Sequence, residues 1–500
     1  MIAESLVVLL LLGGGCALLR TAGLRGWGLL PLGFLAGICL LLGAGFVQVA
    51  TGLPTSPAIT LAVVFGAPVA WWVVCWRRGR GVAVSVPLAA GSALAAVAAV
   101  AVLRDARMLK WHPDSITYLM AGRLIADGDY RSTASTELLS TRVFGVPLLH
   151  APAGLDGDLY LRSITPLLTA ATVAAVVWFL ARAPRTGWWR VAAVAALVVT
   201  LLLTNNRVVF SFFYLNGHLL FAACVLLAAG GGWLLATAGP DRGEPALATL
   251  QLLAIPGIVI IRPEGFLAAA LVLLPTVLSA RVPRRQRVAV LAVFGGTTLL
   301  FAGFQIWFFL DRDAGLPASG IGAAALGAAA LAAIPLLRRG TADRRGGWLL
   351  AAAEAGLWLA LAALAVRDPD TLWTSVRALY RNQVEGVGGY GLSLTLLTGL
   401  LLLAWLMSPR LPHQAHLRFP LTTFLPFCFV MAYLREGAYR AADADSMNRM
   451  LMHVVPLAAL YLAALLTTSG EAPGDGPGPE PDAETAEAPP EPASAVPARR

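Results

Sequence analysis

The chain has 500 residues, of which 58% are hydrophobic and 13% charged, with a mean hydropathy of +0.73. Its apolar residues arrive in uninterrupted blocks of about 18–25, enough to cross a hydrocarbon core of about 30 Å, which excludes a water-soluble domain. The net charge of +9 is carried almost wholly by Arg at the ends of those blocks, which points to membrane topology and anionic lipid and excludes a nucleic-acid patch.

Only a helix satisfies every backbone N–H and C=O within one membrane segment, and the blocks lack the alternation of a barrel. The fold class expected is therefore all-α, a polytopic transmembrane bundle of about fifteen spans. They begin near Ile2, Trp27, Ala58, Ala83, Ile164, Val191, Phe212, Ala246, Phe266, Val288, Ile321, Trp348, Leu392, Phe419 and Met450. The Arg-rich loops run from Arg20 to Arg25, Arg77 to Arg80, Arg182 to Arg190, Arg281 to Arg287, Arg338 to Arg345 and Arg410 to Arg418. All of them fall on one side if the amino terminus is outside and the carboxyl terminus inside, as expected for a multi-pass cell-membrane protein. Five cysteines with no paired spacing imply neither disulfides nor a metal site.

Three regions follow. Residues 1–82 hold three additional amino-terminal spans. A core over 83–467 carries exterior loops at 104–163 and 367–391. The stretch 468–500, rich in Pro, Glu and Ala, cannot bury enough apolar area to offset the entropy of ordering, so a disordered cytoplasmic tail is expected.

The first exterior loop contains Trp111-His112-Pro113-Asp114-Ser115-Ile116-Thr117-Tyr118, continuing to Gly128. Pro113 suits the first turn of a helix, Asp114 can accept its orphan N–H bonds, and Ile116, Leu119, Met120, Arg123 and Leu124 follow a period near 3.6. Asp114, Thr117, Tyr118 and Ala121 share the more polar face of that interfacial helix, which presents a carboxylate towards the bundle. Farther on, Leu155-Asp156-Gly157-Asp158 offers a weak divalent-metal pair, or a turn in which Gly157 supplies backbone freedom. In the second loop Arg377 and Arg381, four apart, share one face of a short helix from Trp373 to about Gln383. The Gly-rich run Glu385 to Gly391 follows no strand, so it is no nucleotide loop; it suits a segment that closes over a bound ligand.

Taken in order, these segments resemble the GT-C superfamily, the membrane glycosyltransferases that draw sugars from polyprenyl-phosphate carriers, including protein O-mannosyltransferases and the lipid A aminoarabinose transferase. The likeness rests on the His-Pro-Asp-Ser loop, on Ile261-Arg262-Pro263-Glu264-Gly265-Phe266, and on Asn448-Arg449-Met450-Leu451-Met452-His453, and it covers roughly Ala83 to Thr467. Two features depart from it: three spans precede the first loop, and Tyr214-Leu215-Asn216-Gly217-His218 stands where an acidic residue is common. The resemblance implies that Asp114 is the catalytic carboxylate, taking a proton from an acceptor hydroxyl in a single displacement that inverts the anomeric carbon. Capping of its own helix is the competing role for Asp114.

A departing lipid phosphate gains charge and calls for fixed cations, which makes Arg449, Arg262, Arg377, Arg381, His112 and His453 candidates for the donor site, with Tyr118 and Glu264 beside them. Snorkelling to lipid headgroups, or an Arg262–Glu264 pair closing a short span, are the structural alternatives. The partners implied are a polyprenyl-phosphate sugar, membrane lipids and a glycan, lipid or protein acceptor, with no nucleic acid and no required cofactor. A secondary transporter or lipid-carrier flippase is the rival from another class. Against it, span interiors are nearly free of charge, Glu354 excepted.

Overall fold

The computed structural model describes residues 2–78, 86–103, 113–141, 143–182, 187–211, 213–240, 244–338, 341–387, 389–407, 411, 413–434 and 446–468. The tail beyond 468, His112 and the boundary near 82 lie outside these. Described residues form helices and no strand.

Four helices, α1 (Ile2–Thr21), α2 (Leu29–Thr51), α3 (Pro57–Arg77) and α4 (Val86–Leu103), precede the first loop. The loop itself is helical: α5 (Pro113–Asp127), α6 (Tyr130–Thr133), α7 (Thr136–Thr141), α8 (Gly145–His150) and a 3-10 turn over Ala151–Asp156. Next come α9 (Ile164–Ala181), α10 (Trp188–Leu203), α11 (Asn206–Phe210), α12 (Gly217–Ala238), α13 (Pro245–Ile261), α14 (Gly265–Leu278), α15 (Arg284–Leu310), α16 (Ala318–Ala332) and α17 (Ile334–Arg338). The remainder is α18 (Thr341–Arg367), α19 (Pro369–Gln383), α20 (Ser393–Met407), α21 (Ala415–Leu434), α22 (Ser446–Leu451) and α23 (Val455–Thr468).

Among the described residues eight helical segments are long and apolar enough to cross a membrane, and shorter apolar helices accompany them; the chain is a multi-pass helical membrane protein. Two span starts fall later in the structure than the hydropathy suggests. Asn216 accepts from the His218 N–H at 2.9 Å and so opens α12 at Gly217, not near Phe212. In the other case, a turn over Met452–Val454 separates α22 from α23, so the last long helix begins at Val455 and not near Met450.

α12 is buried throughout, packed by α9, α13, α14, α21 and α23. Around this axis α2 packs against α1, α9 and α13, so it belongs to the same core as the later helices. α1 crosses α2 at bare backbone: a Cβ on Gly15 would strike the Gly33 carbonyl, and one on Gly37 the Leu11 carbonyl. The first turn of α1 is also tied to the start of α9, because the Glu4 carboxylate accepts from Ser163 N at 2.6 Å and Ser163 Oγ at 2.8 Å. α1 therefore begins at the same end of the bundle as the α5–α8 loop. By contrast the apolar window of α18 holds no fully buried residue, and Glu354 within it pairs with Arg418 of α21 at 3.0 Å.

Under that loop His150 is buried, and its Nδ1 accepts from the Leu161 N–H at 3.2 Å. Burial pushes the imidazole pKa down to about 3, and a proton on Nδ1 would also break the bond to Leu161. The unfolded imidazole titrates near 6.5, so between that value and 3 the unfolded chain binds the extra proton. Stability is therefore complete above about pH 6.5 and falls on acidification by up to about 1.4 kcal/mol per pH unit from this group. Thermal melts of nanodisc-embedded protein at stepped pH should show that loss, and His150→Gln should flatten it.

Candidate functional site

The site is assembled from five stretches remote in sequence: the start of α5, α11 with the turn after it, the end of α13 with the turn after it, the Gly-rich run after α19, and the α22–α23 corner.

α5 begins at Pro113, and Asp114 stands in its first turn. Its inward stripe is Ser115, Tyr118, Leu119, Ala121, Gly122 and Ile125, whereas Ile116 and Met120 face outward at 44% and 62% exposure. Tyr118 and Ala121 therefore lie on the bundle side, as the sequence suggests, with Leu119 turned inward beside them. Two contacts seat the helix. Ser115 Oγ donates to the Leu215 carbonyl at 3.1 Å, and the bare Gly122 lies against the Pro147 carbonyl of α8.

Asp114 Oδ2 accepts from Arg449 Nη1 at 2.8 Å across 335 residues, with the two side chains 19% and 14% exposed. Arg449 is supplied by the one-and-a-half-turn helix α22, so the ion pair joins the first loop to the last corner of the core.

A second pair lies deeper. Arg262 ends α13 in an extended conformation and Glu264 precedes α14; Nε and Nη2 of the guanidinium both reach Glu264 Oε1 at 2.9 Å. Glu264 is only 4% exposed. The structural pairing expected for these two is thus present. Tyr118 and Cys428 are also within electrostatic range of Arg262.

Between the pairs stand two imidazoles. His218 Nδ1 and His453 Nε2 are 2.9 Å apart, their rings stack with centroids 5.0 Å apart, and Phe221 covers His453 at 4.4 Å. One of these nitrogens donates and the other accepts, so the pair shares a single N–H in the gap. Arg262, Arg449 and Arg207 all lie within electrostatic range of His218.

The Gly-rich run closes the far side. Tyr390 is fully buried, Ser393 Oγ donates to its carbonyl at 2.6 Å, and its hydroxyl is reached by the Met452 backbone N–H next to His453. Gly389, at φ +72°, brings the chain against the guanidinium of Arg207, where a Cβ would be strained whatever the space. Arg207 is set in place by Asn205, whose side chain accepts from the Arg207 and Val208 N–H groups and starts α11.

The structure therefore brings Asp114, Tyr118, Arg262, Glu264, Arg449 and His453 into one region. Arg377 and Arg381 are not drawn into it. α19 is longer than expected, starting at Pro369, and both Arg side chains are exposed on it, with Arg381 paired to Glu385 at 3.3 Å. Asp156 and Asp158 sit in an exposed turn where Gly157 has φ +72°. No group of three His, Cys, Asp or Glu fit to hold a metal occurs among the described residues. Sequence reasoning missed Arg207, His218 and Tyr390. Arg207 carried one signal, a polar Asn-Asn-Arg trio ending an apolar run.

Chemically, the arrangement is a half-buried carboxylate held by a guanidinium, backed by further guanidinium groups and a hydrogen-bonded His pair. It can exchange the internal ion pair for an incoming anion and leave the carboxylate free to accept a proton. No family model, no curated protein and no solved structure matches the chain.

Proposed function

We propose that the protein is a membrane glycosyltransferase that moves a sugar from a polyprenyl-phosphate carrier to an acceptor outside the cytoplasm. The observation that carries this reading is the Asp114–Arg449 ion pair, because it places a candidate base and a candidate phosphate ligand within 2.8 Å of each other. The phosphate of the carrier replaces Asp114 on Arg449, with Arg262 and Arg207 adding to the positive field. Asp114, released, accepts the proton of the acceptor hydroxyl as that oxygen attacks the anomeric carbon, and the bond to the phosphate oxygen breaks with inversion. His218 and His453 offer ring nitrogens there that donate or accept hydrogen bonds.

On this reading about fifteen helices cross the bilayer with the amino terminus and the Asp114 end outside, in accord with the Arg-rich loops. The prenyl chain stays in lipid beside the bundle. A carrier flippase or secondary transporter is the alternative, and Glu354 is the residue it would use. Its pairing with Arg418 gives that carboxylate a structural role instead.

The test is transfer from a panel of labelled polyprenyl-phosphate hexoses and pentoses by purified protein in nanodiscs. Transfer from one donor class is the expected outcome. Carrier movement between leaflets without any glycosyl product would establish the flippase in its place.

A further inference from the structure

Asn382 lies in the last turn of α19 and is completely buried, yet neither its Nδ2 nor its Oδ1 has a hydrogen-bond partner. It is the one side chain among the described residues with both polar ends unmade in this way. Buried carboxamides are nearly always satisfied, and an orphaned one in a folded protein calls for a reason. The rest of its helix face offers none, since the neighbouring inward positions are Ser375 and Ala378, and Ser375 already donates to the Thr371 carbonyl.

Its surroundings supply one. α19 packs against α21 and against α22, the helix whose Arg449 holds Asp114. Directly after Asn382 the chain folds back over the helix end: the Val387 N–H donates to the Arg381 carbonyl at 3.3 Å, and Thr395 Oγ1 donates to the Gln383 carbonyl. That cover is the Gly-rich run, which turns at Gly386 (φ +76°) and is pinned at its far end by buried Tyr390. The amide thus lies in the helix end onto which a short glycine-hinged run folds back, on a helix that packs against α22.

A carboxamide presents one acceptor oxygen and two N–H donors in a plane. Adjacent ring hydroxyls, which both donate and accept, match that pattern; a phosphate oxygen would not use the acceptor, and a prenyl chain would use neither. We propose that Asn382 is a sugar-recognition residue, its amide pairing with two hydroxyls of the carrier-linked glycosyl group when the segment 384–387, which turns at Gly386, moves aside and recloses. This rests on the glycosyltransferase reading and adds to it the residue that reads the sugar.

The test compares wild type, Asn382→Leu and the smaller Asn382→Ser in nanodiscs, using polyprenyl phosphate, the same lipid carrying a hexose or pentose, and its mono-deoxy derivatives. Without ligand, Asn382→Leu should melt at or above the wild-type temperature, because an orphan amide is removed. Bare carrier should bind within twofold of wild type. The preference for sugar-loaded over bare carrier should fall by at least about tenfold in both variants, and removing one ring hydroxyl should weaken wild type but not Asn382→Leu. If wild type and both variants discriminate sugar equally, or if Asn382→Leu melts lower while Asn382→Ser keeps full discrimination, the amide is structural and the proposal is overturned. A wild type that never prefers the loaded carrier removes the glycosyltransferase reading itself, and this proposal with it.

Discussion

Replacing Asp114 with Asn should lower glycosyl transfer by about 100- to 10,000-fold while leaving the protein folded, the range typical of a lost general base. The substitution keeps the shape and one acceptor oxygen for Arg449 but cannot take a proton from an acceptor hydroxyl. Carrier binding should change far less than turnover, because Arg449 remains and no longer has to leave a carboxylate. Stability should drop by about 1–3 kcal/mol, since a mostly buried guanidinium loses its counter-charge, with some relief from the residual exposure of the pair. Arg449→Gln should show the converse pattern, with donor affinity weakened most. The double variant then separates the roles: a coupling of about 0.5–3 kcal/mol in melting free energy reports the ion pair alone, while turnover stays at the Asp114→Asn level. Full turnover in Asp114→Asn would reduce Asp114 to a structural partner of Arg449.

Gly37→Ala should destabilise the protein by about 1–3 kcal/mol, the usual cost of forcing atoms into a packed contact. The added methyl meets the carbonyl oxygen of Leu11, which is backbone of a neighbouring helix and cannot step aside. α1 and α2 would have to separate along the Gly33-x-x-x-Gly37 surface, where small residues let membrane helices approach closely. Gly43→Ala, on the same helix, is the control. Its nearest neighbour would be Pro256 Cβ at 3.9 Å, an ordinary contact, so the better helix propensity of Ala should leave it neutral or slightly stabilised. Opposite signs from one substitution two turns apart would locate the α1–α2 crossing in solution; equal effects would disprove it.

The helices were legible because length and hydropathy are local properties. The inward side of α5 was legible too, since Asp114, Tyr118 and Ala121 fall one or two turns apart on a single face. What could not be read was the partner of Asp114. Arg449 is 335 residues away and was one of several cations at span ends, each with an ordinary reason to be there. His218 was passed over as a departure from a resemblance, because its meaning depends on His453 and on a turn that places the two rings in contact. Arg377 and Arg381 share a helical face as their spacing requires, but spacing does not say what that face meets. Asn382, between them and the glycines, left no mark in composition or periodicity. Only burial reveals it.

The Glu4–Ser163 clasp sets a timetable for biogenesis. The carboxylate enters with the first helix, yet its hydroxyl and amide donors lie 159 residues farther along. At about 5–20 residues per second, a ribosome needs roughly 8–30 s to supply them. For that interval α1 holds an anion at the membrane surface with no native counterpart, and the amino-terminal end of the bundle can be sealed only after α9 arrives. Glu4 is thus made 159 residues before the group that fixes it.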